Sequence, residues 1–125
     1  MTVYVDTQVL IWIGEGGGPR ISSNALDAIE NNDLLASPAV VLEIEYLYEI
    51  GRLRRSAEKI LAILESTVGL RVCSMPFRDV AMQALHEKWT RDPFDRLIVA
   101  NAKAAGAPLV TKDERIRKHY RRAIW

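Results

Sequence analysis

The apolar residues of the chain follow two alternating patterns, which predict strands and helices in turn. Short apolar runs without a helical period predict strands at residues 3–5, 34–36, 70–75, 108–111 and 123–125. Between these runs lie longer segments whose apolar residues recur with the 3.6-residue period of a helix face. The segment 38–51 shows this period at positions 40, 41, 44, 47 and 48. We therefore expect strands and helices to alternate along the chain.

Capping residues locate the ends of the predicted helices. Ser22 or Ser23 and Ser56 are typical N-caps, and Asp92 followed by Pro93 is a strong helix start. The predicted helices cover residues 10–13, 22–32, 38–51, 56–68, 77–89, 93–105 and 113–120. Strands that alternate with helices form parallel sheets covered on both faces. The fold class is therefore α/β, with three α/β/α layers around a central parallel sheet of four to five strands.

Length and composition indicate one soluble domain that spans residues 1–125. A chain of 125 residues with 49% hydrophobic and 26% charged residues can bury a core, and it does not have the composition of a disordered protein. No uncharged run is long enough to cross a bilayer, and the N-terminus lacks the basic segment of a signal peptide. Cys73 is the only cysteine, which excludes an internal disulfide, and its strand-like surroundings predict a core position. We expect a cytoplasmic protein with no membrane contact.

Charge is distributed unevenly, although the net charge is only +1. Residues 1–50 hold eight acids and one base, whereas residues 51–125 hold sixteen bases and eight acids. Such asymmetry is typical of nucleic-acid contact, and a dipolar surface or an acidic protein partner is the alternative. The candidate phosphate-binding residues are Lys112, Arg115, Arg117, Lys118, Arg121 and Arg122.

Four carboxylates stand where the predicted sheet would bring them together. Asp6 ends the first predicted strand, and Asp113 follows the fourth. Glu43 and Asp95 lie on helices, and each projects with apolar neighbours rather than with the solvated residues of its helix. Ligands of open parallel sheets bind at the carboxyl ends of the strands. Clustered carboxylates repel one another unless a cation is present, and a hard divalent ion prefers oxygen ligands. The four positions together predict a metal site.

Helix capping is the alternative explanation for most of these acids. Asp6, Asp92 and Asp113 each precede a predicted helix, and Asp95 lies in a first turn, where an acid favours the helix dipole. Glu43 has no capping role because it lies in the middle of its helix.

Four segments of the chain resemble, in order and spacing, the signature of PIN domains. They are VYVDTQVLIW, SPAVVLEIEYLYEIGRL, RDPFDRLIVANA and LVTKDERI, and the similarity is strongest to ribonuclease toxins of the VapC type. The resemblance assigns Asp6, Glu43, Asp95 and Asp113 to the family's catalytic, metal-binding acidic cluster. Asp92, Arg96 and Thr111 match accompanying positions, which we interpret as supporting. Leu42, where many relatives have an aromatic residue, and the glycine-rich segment 14–19 depart from the family pattern.

The resemblance implies an Mg²⁺- or Mn²⁺-dependent endoribonuclease with one or two ions per active site. It also implies a homodimer and a cognate antitoxin protein as partner, in addition to the RNA substrate. The alternative within the family is a catalytically inactive PIN-like module that binds RNA or protein. Receiver-type and phosphatase folds would need a second acid near Asp6, but position 8 is Gln, and no G-x-S-x-G or P-loop motif is present.

Overall fold

All five predicted strands form in the structure, a computed structural model that describes residues 1–125, and they build one parallel sheet. The strand order is β3-β2-β1-β4-β5. The strands are β1 (Thr2–Val5), β2 (Asp33–Ala36), β3 (Arg71–Val72), β4 (Leu109–Val110) and β5 (Ala123–Ile124). In the centre, Tyr4 of β1 is in register with Leu35 of β2 on one side and with Leu109 of β4 on the other. The chain therefore adds strands first on one side of β1 and then on the other.

Seven helices connect these strands and cover the sheet. They are α1 (Thr7–Gly14), α2 (Ser23–Asn31), α3 (Pro38–Glu49), α4 (Ala57–Val68), α5 (Phe77–Ala84), α6 (Pro93–Ala104) and α7 (Glu114–His119). Parallel strands need crossover connections of one hand, so a sheet that grows in both directions from β1 receives helices on both faces. The predicted three-layer α/β/α architecture is confirmed. No helix combines the length and the apolar character that crossing a bilayer requires.

The elements β3 and α5 end several residues earlier than the sequence predicts. β3 pairs only with β2, and its last partner is Ala36, after which Ser37 turns the chain into α3. Residues 73–75 therefore continue without a full strand partner. α5 ends at Ala84 instead of residue 89, because the chain turns to bury Glu87 against Lys103, whose ammonium lies 2.5 Å from the Glu87 carboxylate. This ion pair lies in the segment that leads to α6.

The core is one cluster of 27 buried hydrophobic residues around β1, β2 and β4. Cys73, predicted as a core residue, is instead partly buried just after β3. The Tyr4 hydroxyl donates to Cys73 Sγ at 2.9 Å, and Asn101 Nδ2 lies 3.3 Å from the same hydroxyl. This polar group ties β1 to α6 and to the edge of the sheet.

The outer face of α3 also differs from the prediction. Glu45 is partly buried although it lies away from the apolar stripe, and its Oε1 accepts a hydrogen bond from Ala57 N at 3.0 Å, at the start of α4. Tyr48, expected on the buried stripe, is 40% exposed. A helical period of 3.6 residues shows which side of a helix is buried. It does not show which residues at the border of that side are buried, because their burial depends on the neighbouring helix.

Candidate functional site

A cleft opens at the carboxyl edge of the sheet, where β1 lies between β2 and β4. Strand order reverses at this point, and in open α/β sheets it is the usual ligand position. The cleft has a volume of about 440 Å³. Its lining residues are Asp6, Thr7, Gln8, Trp12, Glu43, Leu47, Asp95, Lys112, Asp113 and Glu114. All four acids predicted to bind metal therefore line the same cleft.

Asp6 is the most deeply placed of these acids, with 8% of its surface exposed. It caps α1, since its Oδ1 accepts a hydrogen bond from Thr7 N at 2.8 Å, and its Oδ2 accepts another from the Thr111 hydroxyl at 2.7 Å. Burial raises the pKa of Asp6, hydrogen bonds from Thr111 and Thr7 oppose this rise, and the charges of Asp113 and Asp92 add to it. The capping and site roles that the sequence offered as alternatives are thus compatible in one residue.

Thr111 connects two of the acids directly. It is fully buried after β4, and its hydroxyl donates to Asp6 while accepting from Asp113 N at 3.0 Å. Asp113 in turn caps α7, because its Oδ1 accepts from Ile116 N at 3.0 Å. The supporting position that the resemblance gave to Thr111 thus has a specific geometry: one hydroxyl orients the Asp6 carboxylate and the backbone that carries Asp113.

Glu43 reaches the cleft from the middle of α3 and is held by the Thr7 hydroxyl, which donates to Glu43 Oε1. Burial raises the pKa of the Glu43 carboxyl to about 6, against the lowering effect of the Thr7 hydrogen bond. The negative charges of Asp6 and Asp92 contribute to the rise. Charges on other elements of the fold therefore affect the pKa of Glu43, although Glu43 lies on α3.

Asp95 reaches the cleft from the first turn of α6, and its pKa is raised. Burial, together with the smaller effects of the charges of Asp92, Asp6, Asp113 and Glu43, raises the pKa of its carboxyl to about 7. Asp92 lies at the preceding N-cap, where its Oδ1 accepts from Phe94 N at 2.8 Å and Asp95 N at 3.2 Å. No lysine or arginine forms a salt bridge with any of these acids, since the one salt bridge of the chain joins Lys103 to Glu87. The four acids of the cleft therefore have no salt-bridge partner.

The donor set of the cleft fits a hard divalent cation. Its ligating groups are carboxylate oxygens, with no histidine or cysteine among the lining residues, and Mg²⁺ and Mn²⁺ prefer such oxygen ligands. No three acidic, histidine or cysteine side chains are already drawn together into a metal-binding group. The separation of the acids is compatible with Mg²⁺, because this ion usually keeps several waters and contacts only one or two carboxylates directly.

Comparison with known proteins shows to which family the chain belongs. The family model described as "PIN domain" matches residues 3–122. The chain belongs to the PIN-domain family. It is 33% identical over 120 residues to Ribonuclease VapC22 of Mycobacterium tuberculosis, covering 94% of this chain and 92% of that protein. The VapC-type resemblance recognised in the sequence is confirmed.

Two solved structures share the fold at low sequence identity. A chain of VapBC2 from Rickettsia felis, bound to a DNA fragment from its promoter, has a TM-score of 0.66 and 18% identity, with 94% of this chain and 92% of that chain covered. A chain of VapBC-1 from Haemophilus influenzae has a TM-score of 0.58 and 20% identity, with 94% of each chain covered. These likenesses show that nearly the whole chain shares its fold with those two structures.

Arg96 lies apart from the acids of this PIN domain. Its guanidinium donates to the Ala84 carbonyl at 3.1 and 3.2 Å and to the Leu85 carbonyl at 3.4 Å. These carbonyls end α5, so Arg96 fastens α5 to α6 and contributes to the site only by holding the start of α6 in place.

One of the six predicted phosphate-binding residues lines the acidic cleft of the PIN domain, and the other five do not. Lys112 lines the acidic cleft, whereas Arg121 and Arg122 line a separate cavity with Lys103. Arg115 is tethered by a 2.7 Å hydrogen bond to the Trp89 carbonyl. Arg117 and Lys118 are exposed on α7. The structure therefore places only Lys112 among the acids.

Sequence analysis missed five residues of the cleft, namely Thr7, Gln8, Trp12, Leu47 and Glu114. Thr7 and Glu114 directly follow acids that it had selected, so adjacency was an available signal. Leu47 had been interpreted only as an apolar helix position, and Trp12 only lay within a short predicted helix. A helical pattern shows which residues share a face, but it does not show that a cleft crosses that face.

Proposed function

We propose that this PIN domain is a metal-dependent endoribonuclease and the toxin of a toxin–antitoxin pair. The observation that carries the proposal is that Asp6, Glu43, Asp95 and Asp113 line one cleft without a salt-bridge partner. It is supported by the 33% identity to a protein named Ribonuclease VapC22. Metal-assisted hydrolysis of a phosphodiester is the chemistry that clustered carboxylates on such a fold serve.

The residues of the cleft have distinct roles in this proposal. Asp6, Glu43, Asp95 and Asp113 hold one or two Mg²⁺ or Mn²⁺ ions. A bound ion would supply a water of lowered pKa and positive charge for the reacting phosphate. Thr111 and Thr7 fix the orientations of the Asp6 and Glu43 carboxylates through their hydroxyls. Lys112, at the rim, provides a positive charge for an RNA phosphate next to the scissile one.

An antitoxin protein is the proposed partner. Support comes from the two VapBC structures that share the fold. A cleft rich in acids without salt-bridge partners also offers a binding site for an arginine or lysine of an inhibitor. Homodimerisation and a cytoplasmic location stay predictions.

The chemical nature of the RNA ends tests this function. Hydrolysis by a water held in the cleft leaves a 5′-phosphate and a 3′-hydroxyl. We expect labelled RNA incubated with the protein and Mn²⁺ to give products that a 5′-phosphate-dependent exonuclease degrades. Products ending in 2′,3′-cyclic phosphate would contradict the mechanism, because they require attack by the RNA's own 2′-hydroxyl. An absence of cleavage under all metal conditions would favour the alternative, an inactive PIN-like binding module.

Removing the Thr111 hydroxyl should weaken both the fold and the site. In Thr111→Val, Asp6 Oδ2 and Asp113 N each lose a buried hydrogen-bond partner. We expect a loss of about 1–3 kcal/mol in the free energy of unfolding, measured by urea denaturation. Cleavage should fall by about 10- to 100-fold, the usual effect of removing a group that orients a metal ligand.

Thr111→Ser is the matched control because it retains the hydroxyl. It should stay within about threefold of the wild-type activity, a small effect on the scale of ligand-orienting groups. Equal activity losses in the serine and valine variants would show that the methyl group matters and that the hydroxyl does not.

A further inference from the structure

We propose that Trp12 forms a wall of the cleft on which an RNA base stacks beside the scissile phosphate, a role that rests on the proposed nuclease function. Of the ten residues that line the cleft, Trp12 and Leu47 are the two hydrophobic ones. The other lining residues are charged or polar. The cleft thus has an acidic end, suited to a metal and a phosphate, and an apolar aromatic wall.

The helix α1 sets the distance between these two ends. Asp6 caps α1, and Trp12 lies six residues later on the same helix. At a rise of 1.5 Å per residue, the two positions are about 9 Å apart along the helix axis. Successive nucleotides of a stacked strand are spaced by about 3.4 Å along the strand axis, so a base within about three nucleotides of the cut can reach the ring. The spacing suits a nucleotide near the reacting one.

The glycine-rich loop holds Trp12 in position. Gly17 N donates a 2.6 Å hydrogen bond to the Trp12 carbonyl. A Cβ atom at Gly17 would lie only 3.1 Å from Trp12 Cβ and 3.2 Å from its carbonyl oxygen, so the close approach favours glycine. On another side, the Trp125 ring lies 6.1 Å from the Trp12 ring, tilted by 46°. Trp12 is therefore a supported surface rather than a mobile side chain.

Lys112 lies over the Trp12 ring. Its ammonium lies 5.4 Å from the ring centroid, in a cation–π contact, and the Lys112 side chain is exposed. An exposed cation–π contact is weaker than the stacking of a base on a tryptophan. A base can therefore displace the ammonium, which stays close enough to bind the adjacent phosphate. The ring and the ammonium together recognise the two parts of a nucleotide.

The test measures coupling between the Trp12 ring and a single RNA base. The probe is a dye-labelled single-stranded RNA of mixed sequence, about 15 nucleotides long, together with versions that each lack one base. Affinity is measured by fluorescence anisotropy in Ca²⁺, and cleavage of the same RNA is followed in Mn²⁺. For the wild type we expect removal of one particular base to weaken binding about tenfold.

The variants then show whether that base stacks on Trp12. Trp12→Leu should bind intact RNA about tenfold more weakly and should lose its sensitivity to the missing base. Trp12→Phe should fall between the two, and it serves as the test if the leucine variant melts at a much lower temperature. Tyr48→Leu removes an exposed aromatic ring that does not line the cleft. Its affinity and base sensitivity should match the wild type.

The outcomes separate this proposal from the proposed function. Cleavage by the wild type, with base sensitivity unchanged in both Trp12 variants, overturns the stacking role and leaves the nuclease intact. If the sensitivity to the missing base depends on Trp12 but the RNA is not cleaved, the proposed nuclease activity is overturned and the stacking role is supported. If Trp12→Leu loses the same affinity for intact RNA as for every RNA that lacks one base, Trp12 only supports the fold. This result overturns the proposal.

Discussion

Replacing Asp95 by asparagine is expected to reduce RNA cleavage by about 1,000-fold or more while making the metal-free protein more stable at about pH 8. The loss of activity follows because an amide is a much poorer ligand for a hard cation than a carboxylate. The gain in stability follows from electrostatics. At about pH 8 the Asp95 carboxyl, with a pKa of about 7, is charged among four other acids, and asparagine removes that repulsion.

The direction of the pH effect follows from the raised pKa of Asp95. Between the unfolded pKa of 3.8 and the folded value of about 7, the folded state binds more protons than the unfolded state. The stability of the metal-free protein must therefore decrease as pH rises through this window. After allowance for solvent screening we expect Asp95→Asn to gain on the order of 1 kcal/mol at about pH 8 and almost nothing at about pH 4. Thermal melts in chelator at both pH values measure this.

Asp33→Asn is the matched control for Asp95→Asn. Asp33 begins β2, is exposed, and does not line the cleft. The same chemical change there should alter neither cleavage nor the pH dependence of melting. If Asp95→Asn retained full activity, Asp95 would have to be removed from the proposed metal ligands.

Adding Mn²⁺ to the metal-free protein is expected to raise its melting temperature by on the order of 10 °C at a concentration about 100 times the dissociation constant. A ligand that binds only the folded state adds about 2.7 kcal/mol of stability at that ratio. The gain should be larger at about pH 8 than at about pH 5.5, because protons compete for Glu43 and Asp95, whose pKa values are about 6 and about 7. Calorimetry with and without a chelator measures the shift, and activity should disappear with the chelator.

Two comparisons make the metal experiment specific. Asp95→Asn should show a much smaller Mn²⁺-dependent shift than the wild type, whereas Asp33→Asn should show the full shift. An equal shift in all three proteins would place the ion elsewhere on the surface. No shift for the wild type at millimolar Mn²⁺ would count against a metal site in the cleft.

Local signals in the sequence were sufficient for most of the fold. Asp92 followed by Pro93 and the N-cap residues Ser22 and Ser56 start helices where predicted. These signals depend on hydrogen bonds between residues two or three positions apart, so they can be recognised without knowledge of the tertiary structure. The ends of β3 and α5 were wrong because they depend on distant partners. β3 lacks a partner beyond Ala36, and α5 gives way to the burial of Glu87 against Lys103.

The sequence by itself determined the fold class and selected Asp6, Glu43, Asp95 and Asp113 as candidates, because strand ends and apolar helix faces are readable from short-range patterns. Only the tertiary structure decided that these acids share one cleft, that Thr111 bridges two of them, and that Arg96 and most of the basic residues lie elsewhere. It also decided that Trp12 lines the cleft with Lys112 above its ring. Contacts between residues about a hundred positions apart depend on how helices pack on the sheet, which no local pattern encodes.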